Sequence, residues 1–295
     1  MTTSIAPVAG RLPNFLVIGA MKAGTTSLYH YLRAHPQVFM PPYKAPEFFA
    51  GEAHWRRGIE WYRQLFASAG PDAVAIGEAS NVYTKYPQYR GVPERIATYI
   101  PDARLVYVLR DPVERIRSHY ETRVVEGAEK APFEEAVLTN PIYLDCSRYA
   151  MQLEQYLARF PREQLLVITS EQLRGARHAT IRNVYEFIGV DPQFIPPNLH
   201  RDFYQTKDKP SRSLIPLSLR KWLKTHVPAS KRAKELESNL LRAFNRLQRR
   251  PPDGGPGRSV TIPDELRGRL NGLLADDVRR LHALVGPELD GWGIA

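Results

Sequence analysis

The stretch from Asn14 to Leu28 constrains this chain more than any other. An apolar run, Phe15-Leu16-Val17-Ile18, stops at Gly19, and a second glycine, Gly24, is followed by three hydroxyl residues, Thr25, Thr26 and Ser27. Four bulky or β-branched residues are too few for a helix and suit a strand buried on both faces. The two glycines let the backbone turn sharply and approach a ligand, and the amides that open the next helix then face any anion placed there. The segment therefore reads as a phosphate cradle, Lys22-Ala23-Gly24-Thr25-Thr26-Ser27, with Lys22 adding positive charge from within the loop. Its spacing is close to the Gly-x-x-x-x-Gly-Lys-[Ser/Thr] loop of nucleotide triphosphatases, but Thr25 stands where the lysine would be. Glycine-rich turns of this kind also serve as plain strand-to-helix connections; the lysine and the triple hydroxyl favour the anion site.

Further apolar runs recur at Val74 to Gly77, Leu105 to Leu109 and Leu165 to Ile168, and helical periods lie between and around them at Thr26 to Ala34, Ile59 to Ala67, Pro93 to Ile100, Pro112 to Val125 and Tyr149 to Phe160. Strands alternating with helices predict an α/β fold, a single three-layer domain whose parallel sheet is covered on both faces. Right-handed crossovers put every strand's C-terminal end on one edge, where ligands bind, and the loops after Ile18 and Leu109 both leave that edge. Thr180 to Ile188 predicts another helix with Gly189 as its C-cap. One core over about residues 14–200, a helical lobe or lid at 201–257 and a last helix within 263–292 account for the 295 residues as one domain. The lone cysteine, Cys146, excludes an intrachain disulfide framework, and no apolar run reaches membrane-spanning length. With no export signal in Met1 to Arg11, a cytoplasmic protein is expected.

The net charge of +10 is localised. Residues 201–250 hold 14 Lys or Arg against four Asp or Glu, and the rest of the chain balances. Such a segment is either a solvated helical surface or a contact for an anionic ligand, nucleic acid or the anionic face of a membrane. With Trp222 and Phe244 as the large aromatics interleaved beyond Phe203 and Tyr204 at its start, base readout of nucleic acid is not expected.

A second anion site follows Leu105 to Leu109: Arg110-Asp111-Pro112-Val113-Glu114-Arg115, then Ser118-His119-Tyr120 on the helix that Pro112 opens. Arg110 offers the planar fork a phosphate favours, unless it pairs with a neighbouring carboxylate. Together, the loop from Phe15 to Ser27 and the segment from Leu109 to Tyr120 resemble the 5′-phosphosulfate loop and the 3′-phosphate site of sulfotransferases that use 3′-phosphoadenosine 5′-phosphosulfate (PAPS). The resemblance extends through His35-Pro36, Lys44-Ala45-Pro46-Glu47-Phe48-Phe49, Gly77-Glu78-Ala79-Ser80, Phe160 to Leu165 and Phe187 to Val190, roughly residues 14–195. In style the chain is similar to the soluble bacterial members and to the catalytic domains of heparan sulfate sulfotransferases.

The resemblance implies in-line sulfuryl transfer from PAPS to a hydroxyl of a glycan, lipid or small-molecule acceptor, leaving 3′,5′-adenosine bisphosphate and needing no metal. Lys22 and the loop amides would neutralise charge on the leaving phosphate, Thr25, Thr26 and Ser27 would bind the 5′-phosphate, and Arg110 and Ser118 would select the 3′-phosphate. Lys209 and Arg212, in the segment Lys207 to Arg212, are further donor contacts by a looser match. The relatives place a glutamate directly after the position of Lys44, where this chain has Ala45, and some carry a lysine where it has Ala79. Glu47 is therefore the candidate base, with His54 and Glu78 as rivals. His30 and His35 are expected to pack, His119 to be a buried and satisfied histidine, and Tyr83, Tyr86 and Tyr89 to be packing residues. Two other readings stand beside the transferase: a nucleotide kinase or triphosphatase, and a non-catalytic binder of anionic surfaces acting through residues 201–250.

Overall fold

The computed structural model describes residues 10–203, 260–286 and 292–294. Five parallel strands form one sheet in the order β2-β3-β1-β4-β5: β1 (Phe15–Gly19), β2 (Val38–Phe39), β3 (Ala75–Ala79), β4 (Arg104–Leu109) and β5 (Leu165–Thr169). The chain starts at the centre, builds outward on one side to β2 and β3, then crosses to the other for β4 and β5. That reversal around β1 opens a crevice at the carboxyl ends of β1, β3 and β4, where open α/β sheets place their ligands.

Every residue of β1 and β3 is buried, and Phe15, Leu16, Val17 and Ile18 are fully so, as a central strand with helices on both faces requires. Gly77 admits the ring of Phe15 against the β3 backbone, for a Cβ there would lie 2.3 Å from Phe15 Cζ. The flanking helices are α1 (Thr25–Arg33), α2 (Glu52–Trp55), α3 (Gly58–Gln64), α4 (Val92–Tyr99), α5 (Pro112–Val125), α6 (Phe133–Thr139), α7 (Ile142–Asp145), α8 (Tyr149–Leu157), α9 (Gln172–Gly175), α10 (Arg177–Ile188) and the C-terminal α11 (Asp264–Val285). Local chemistry explains the boundaries. Asp111 caps α5 by accepting from the amides of Val113 (2.8 Å) and Glu114 (3.0 Å), with Pro112 at the first helical position. Gly189 ends α10 with φ 79°, the left-handed cap expected of it.

Differences from the sequence reading are local. Strand β3 runs on through Glu78 and Ala79 instead of stopping at Gly77, the two-residue β2 is added at the sheet edge, and α6 and α7 form where no helix was expected. A second apolar cluster, built from Val113 and Ile116 of α5, Phe133 and Val137 of α6 and Leu266, Leu270 and Leu274 of α11, packs the C-terminal helix onto the main body. The basic segment from residue 204 onward lies outside the described residues.

Candidate active site

The loop between β1 and α1 is held in place from three sides. Ala20 N–H donates to Val108 O at 2.7 Å, fixing the loop's first residue to β4. Thr84, from the loop after β3, donates its hydroxyl to Ile18 O at 3.2 Å and fills the space beside Gly19, where a Cβ would lie 1.9 Å from Thr84 Oγ1. Arg110, which follows β4, donates from Nη1 to the carbonyl of Lys22 at 3.2 Å. The two segments expected to grip opposite ends of one ligand are thus joined directly by Arg110.

Gly24 caps α1 with φ 95°, a conformation that favours glycine, so the first amides of α1 point out of the sheet edge. Ala23 is fully buried beneath the turn. The hydroxyls of Thr25 and Thr26 face Lys44, whose ammonium donates to Thr25 Oγ1 at 2.9 Å and Thr26 Oγ1 at 3.2 Å. Burial pushes the Lys44 amine down to about 8, against the opposing pull of Glu78 and Glu47. The Ser27 hydroxyl is engaged elsewhere: it accepts from Phe203 N–H at 3.1 Å and donates to Phe203 O at 3.3 Å, which ties the loop to the chain that leads into the basic segment.

On the β4 side, Arg110 directly precedes the capped start of α5, and Ser118 is buried about two turns along that helix. Arg110 Nη2 makes a long ion pair of 3.9 Å with the carboxylate of Glu114, which takes the closer contact of Arg117 at 2.5 Å. Burial, and then the neighbouring guanidinium of Arg174, disfavour its charge. A second cation beside Arg110, supplied by the short helix after β5, was invisible to sequence reasoning because no motif carries it.

On the β3 side three carboxylate and lysine groups converge. Glu47 N–H donates to Ser80 Oγ at 3.0 Å, and Glu47 and Lys44 each feel the charge of Glu78 or of one another. Glu78 is 1% exposed; Tyr83 and Tyr62 donate to its Oε1 at 2.6 and 3.3 Å, while Oε2 has no hydrogen-bond partner among the described residues. Desolvation raises its carboxyl to about 7 in spite of those donors. His54, the other rival base, sits on α2, and no hydrogen bond of this cluster reaches it. Among the described residues, the non-glycine positions with positive φ are Lys22 (72°), Ala45 (62°) and Glu47 (57°). All three border this crevice, and strained backbone of this kind persists where surrounding structure over-determines it.

The remaining sequence candidates sort cleanly. His119 is buried between Arg115 and Tyr143, and burial plus the surrounding cations push its imidazole down to about 2, which keeps it neutral. His30 stacks on Phe203 with centroids 4.2 Å apart, and His35 is buried with Nε2 3.0 Å from Asp191 O. Tyr83 is a buried donor to Glu78, while Tyr86 and Tyr89 line a small surface cavity of about 180 Å³ with Arg90 and Gln152. Lys209 and Arg212 lie outside the described residues.

A central parallel sheet, a glycine-rich loop after its first strand and an arginine at the exit of its fourth place the chain among α/β proteins that open a crevice at the switch point of the sheet. The model of the sulfotransferase domain matches residues 12–237, and the chain belongs to that family. Its similarity to the mouse bifunctional heparan sulfate N-deacetylase/N-sulfotransferase 4 is 32% identity over 202 residues, covering 62% of this chain and 23% of that protein. Mouse heparan sulfate glucosamine 3-O-sulfotransferase 3B1 is 30% identical over 209 residues, covering 68% of this chain and 51% of that one. The chain therefore spans about a quarter to a half of the length of these relatives. A crystal structure of a sulfotransferase from Alicyclobacillus acidocaldarius superposes with a TM-score of 0.67 at 27% identity, covering 96% of this chain and 99% of that one. The chain thus carries a sulfotransferase domain with an α/β fold, and the kinase or triphosphatase reading of its glycine loop is set aside.

Proposed function

We propose that the donor is PAPS and that the enzyme moves its sulfuryl group onto a hydroxyl of a glycan, lipid or small-molecule acceptor. The observation that most supports this reading is the bond from Arg110 to the Lys22 carbonyl, which joins the loop read as a 5′-phosphate cradle to the segment read as a 3′-phosphate site. The residues fit the group: helix amides behind Gly24, the hydroxyls of Thr25 and Thr26, and two cationic side chains, Lys22 and Arg110, on either side of the β1–β4 junction. When bound, PAPS supplies an activated sulfuryl group on a phosphate leaving group.

The protein's share of the work is positioning and charge neutralisation, as in phosphoryl transfer. Lys22, held in its left-handed backbone, would neutralise charge on the leaving phosphate from within the loop. Lys44, already resting on Thr25 and Thr26, brings a second ammonium to the same hydroxyls. Ser118 and Arg110 read the ribose 3′-phosphate. Glu47 takes the proton of the acceptor hydroxyl: it is half-buried, borders the crevice and is held by Ser80, whereas Glu78 beneath it is sealed by two tyrosines. A cytoplasmic setting and a peripheral anionic contact through residues 201–250 complete the proposal.

Calorimetry tests the donor. 3′,5′-Adenosine bisphosphate is expected to bind at least about tenfold tighter than 5′-AMP, the worth of one charge-assisted contact, and Arg110→Ala is expected to erase that difference. Equal affinity of the two nucleotides for the unaltered enzyme would end this reading.

A further inference from the structure

Between β4 and α5 lies one peptide unit whose two polar ends are both taken by side chains from elsewhere in the chain. The carbonyl of Arg110 accepts from the Tyr149 hydroxyl at 2.8 Å, and the N–H of Asp111, across the same peptide bond, donates to Glu171 Oε1 at 3.2 Å. The flanking carbonyls are held as well: Leu109 O accepts from Ser170 N–H at 2.7 Å, and Pro112 O accepts from Ser147 Oγ at 3.0 Å. Because Arg110 lies past the end of β4 and before the start of α5, neither ladder supplies these partners. The orientation of that peptide plane restricts ψ of Arg110 and φ of Asp111, and with them the direction in which the Arg110 side chain leaves the sheet edge. At the far end of that side chain, Nη1 donates to the carbonyl of Lys22 at 3.2 Å, so the guanidinium is fixed at its tip as well as at its root. A fork held in this way has little freedom left to lose when it meets an anion.

Tyr149 is itself held firmly. It opens α8 and is fully buried. Its ring meets Tyr107 of β4 edge-on, with centroids 6.1 Å apart at 85°, and packs on Trp292 at 5.9 Å. The next two amides of α8, those of Ala150 and Met151, donate to the carboxylate of Asp277. Packing accounts for the ring but not for the hydroxyl, whose proton goes to the carbonyl of Arg110.

We infer that Tyr149 is a positioning residue for the donor: by clamping the Arg110–Asp111 peptide, with Glu171 on its other edge, it aims the Arg110 guanidinium at the ribose 3′-phosphate and so sets the preference for 3′-phosphorylated nucleotides. The inference rests on the PAPS reading of the site and adds to it a residue outside both anion segments. Calorimetry compares 3′,5′-adenosine bisphosphate with 5′-AMP in the unaltered enzyme, Tyr149→Phe and Tyr156→Phe. Tyr149→Phe keeps the packed ring and removes only the hydroxyl. Tyr156→Phe is the control, since it removes another buried hydroxyl of α8, one that donates to Tyr83 O at 2.8 Å. Tyr149→Phe is expected to lower the preference for the bisphosphate by about three- to tenfold, the reach of one hydrogen bond, with AMP affinity unchanged. Tyr156→Phe is expected to leave the preference as it is. A second pair of variants reads the other edge of the peptide and stands even if Tyr149→Phe does not fold. Glu171→Ala and Glu171→Gln both remove the charge of this exposed side chain and differ in whether an acceptor remains, so the preference should be lower in Glu171→Ala. A preference unmoved in Tyr149→Phe, or lowered equally in Tyr156→Phe, would overturn the assignment, as would equal preferences in the two Glu171 variants. No preference for the bisphosphate in the unaltered enzyme would instead refute the PAPS reading, and this assignment with it.

Discussion

Lys22 and Glu47 sit in left-handed backbone that side chains other than glycine rarely adopt, on opposite banks of one crevice. Each such residue costs on the order of 1–3 kcal/mol of folding stability, which is tolerable where it aims a functional group. Lys22→Ala keeps the Cβ and with it the backbone strain, while removing a preorganised donor at the leaving phosphate. It should lower kcat more than a hundredfold, on the order of 3 kcal/mol, in a single-turnover transfer assay. Glu47→Gln should lower kcat by about 10²–10⁴ with bisphosphate binding retained, as expected for loss of a general base. Glu78 calls for a different experiment. Burial raises its carboxyl to about 7, so the folded state keeps a proton that the unfolded chain releases near the ordinary value of 4.5. The stability this group contributes is fully present below about pH 4.5 and is lost as pH rises through about 7. Glu78→Gln, which keeps an acceptor for Tyr83 and cannot ionise, should therefore shrink the difference in unfolding free energy between pH 5 and pH 7.5 by about 2 kcal/mol in urea titrations. An unchanged difference would mean that Glu78 is ionised in the fold.

At the scale of elements, the β1 loop and α5 were legible because their signals are local. Consecutive apolar residues, a glycine with φ 95° and an Asp-Pro start need no knowledge of the rest of the chain, and α5 begins and ends at the residues the sequence indicates. Glu78 was not legible as a strand residue, since a carboxylate at the end of an apolar run reads as the start of a loop. Tyr62, sixteen positions earlier, and Tyr83 make it tolerable inside the sheet, and only the fold brings them to it. The same holds for Lys44, which the sequence marks only as part of a motif, and for Arg174, whose neighbour Arg110 follows another strand. Helix α6 owes its place to the second apolar cluster, a tertiary cause that overrides a weak local pattern. The capping of α5 is directly testable. Asp111→Ala removes the acceptor of two amides at the start of the helix that carries Ser118, and should destabilise the protein by about 1 kcal/mol in thermal or denaturant unfolding. It should also weaken bisphosphate more than AMP, because the 3′-phosphate is the group read from that helix.

Across the whole molecule, the C-terminal helix is the distant part of the chain that braces the donor site. Helix α11 packs Leu266, Leu270 and Leu274 against α5, while Arg267 reaches Glu114 at 2.6 Å and Asp111 at 3.6 Å. One turn beyond those leucines, Asp277, 4% exposed, accepts from the amides of Ala150 (2.9 Å) and Met151 (3.0 Å) at the start of α8. A side chain from the end of the chain thus caps a helix in its middle, and Arg280 adds a 3.0 Å contact to the same carboxylate and a second to Glu154 of α8. Asp277→Ala leaves two buried amides without their charged acceptor and should cost about 2–4 kcal/mol, well above the usual loss of an exposed cap. Asp277→Asn, able to accept at one oxygen only, should fall between the two. If α11 braces the site through α5 as its contacts indicate, amide exchange in α11 and in α5 should rise together in Asp277→Ala, and bisphosphate affinity should drop with them. Exchange confined to α11, with affinity intact, would show that the C-terminal helix is an appendage and that the donor site is complete without it.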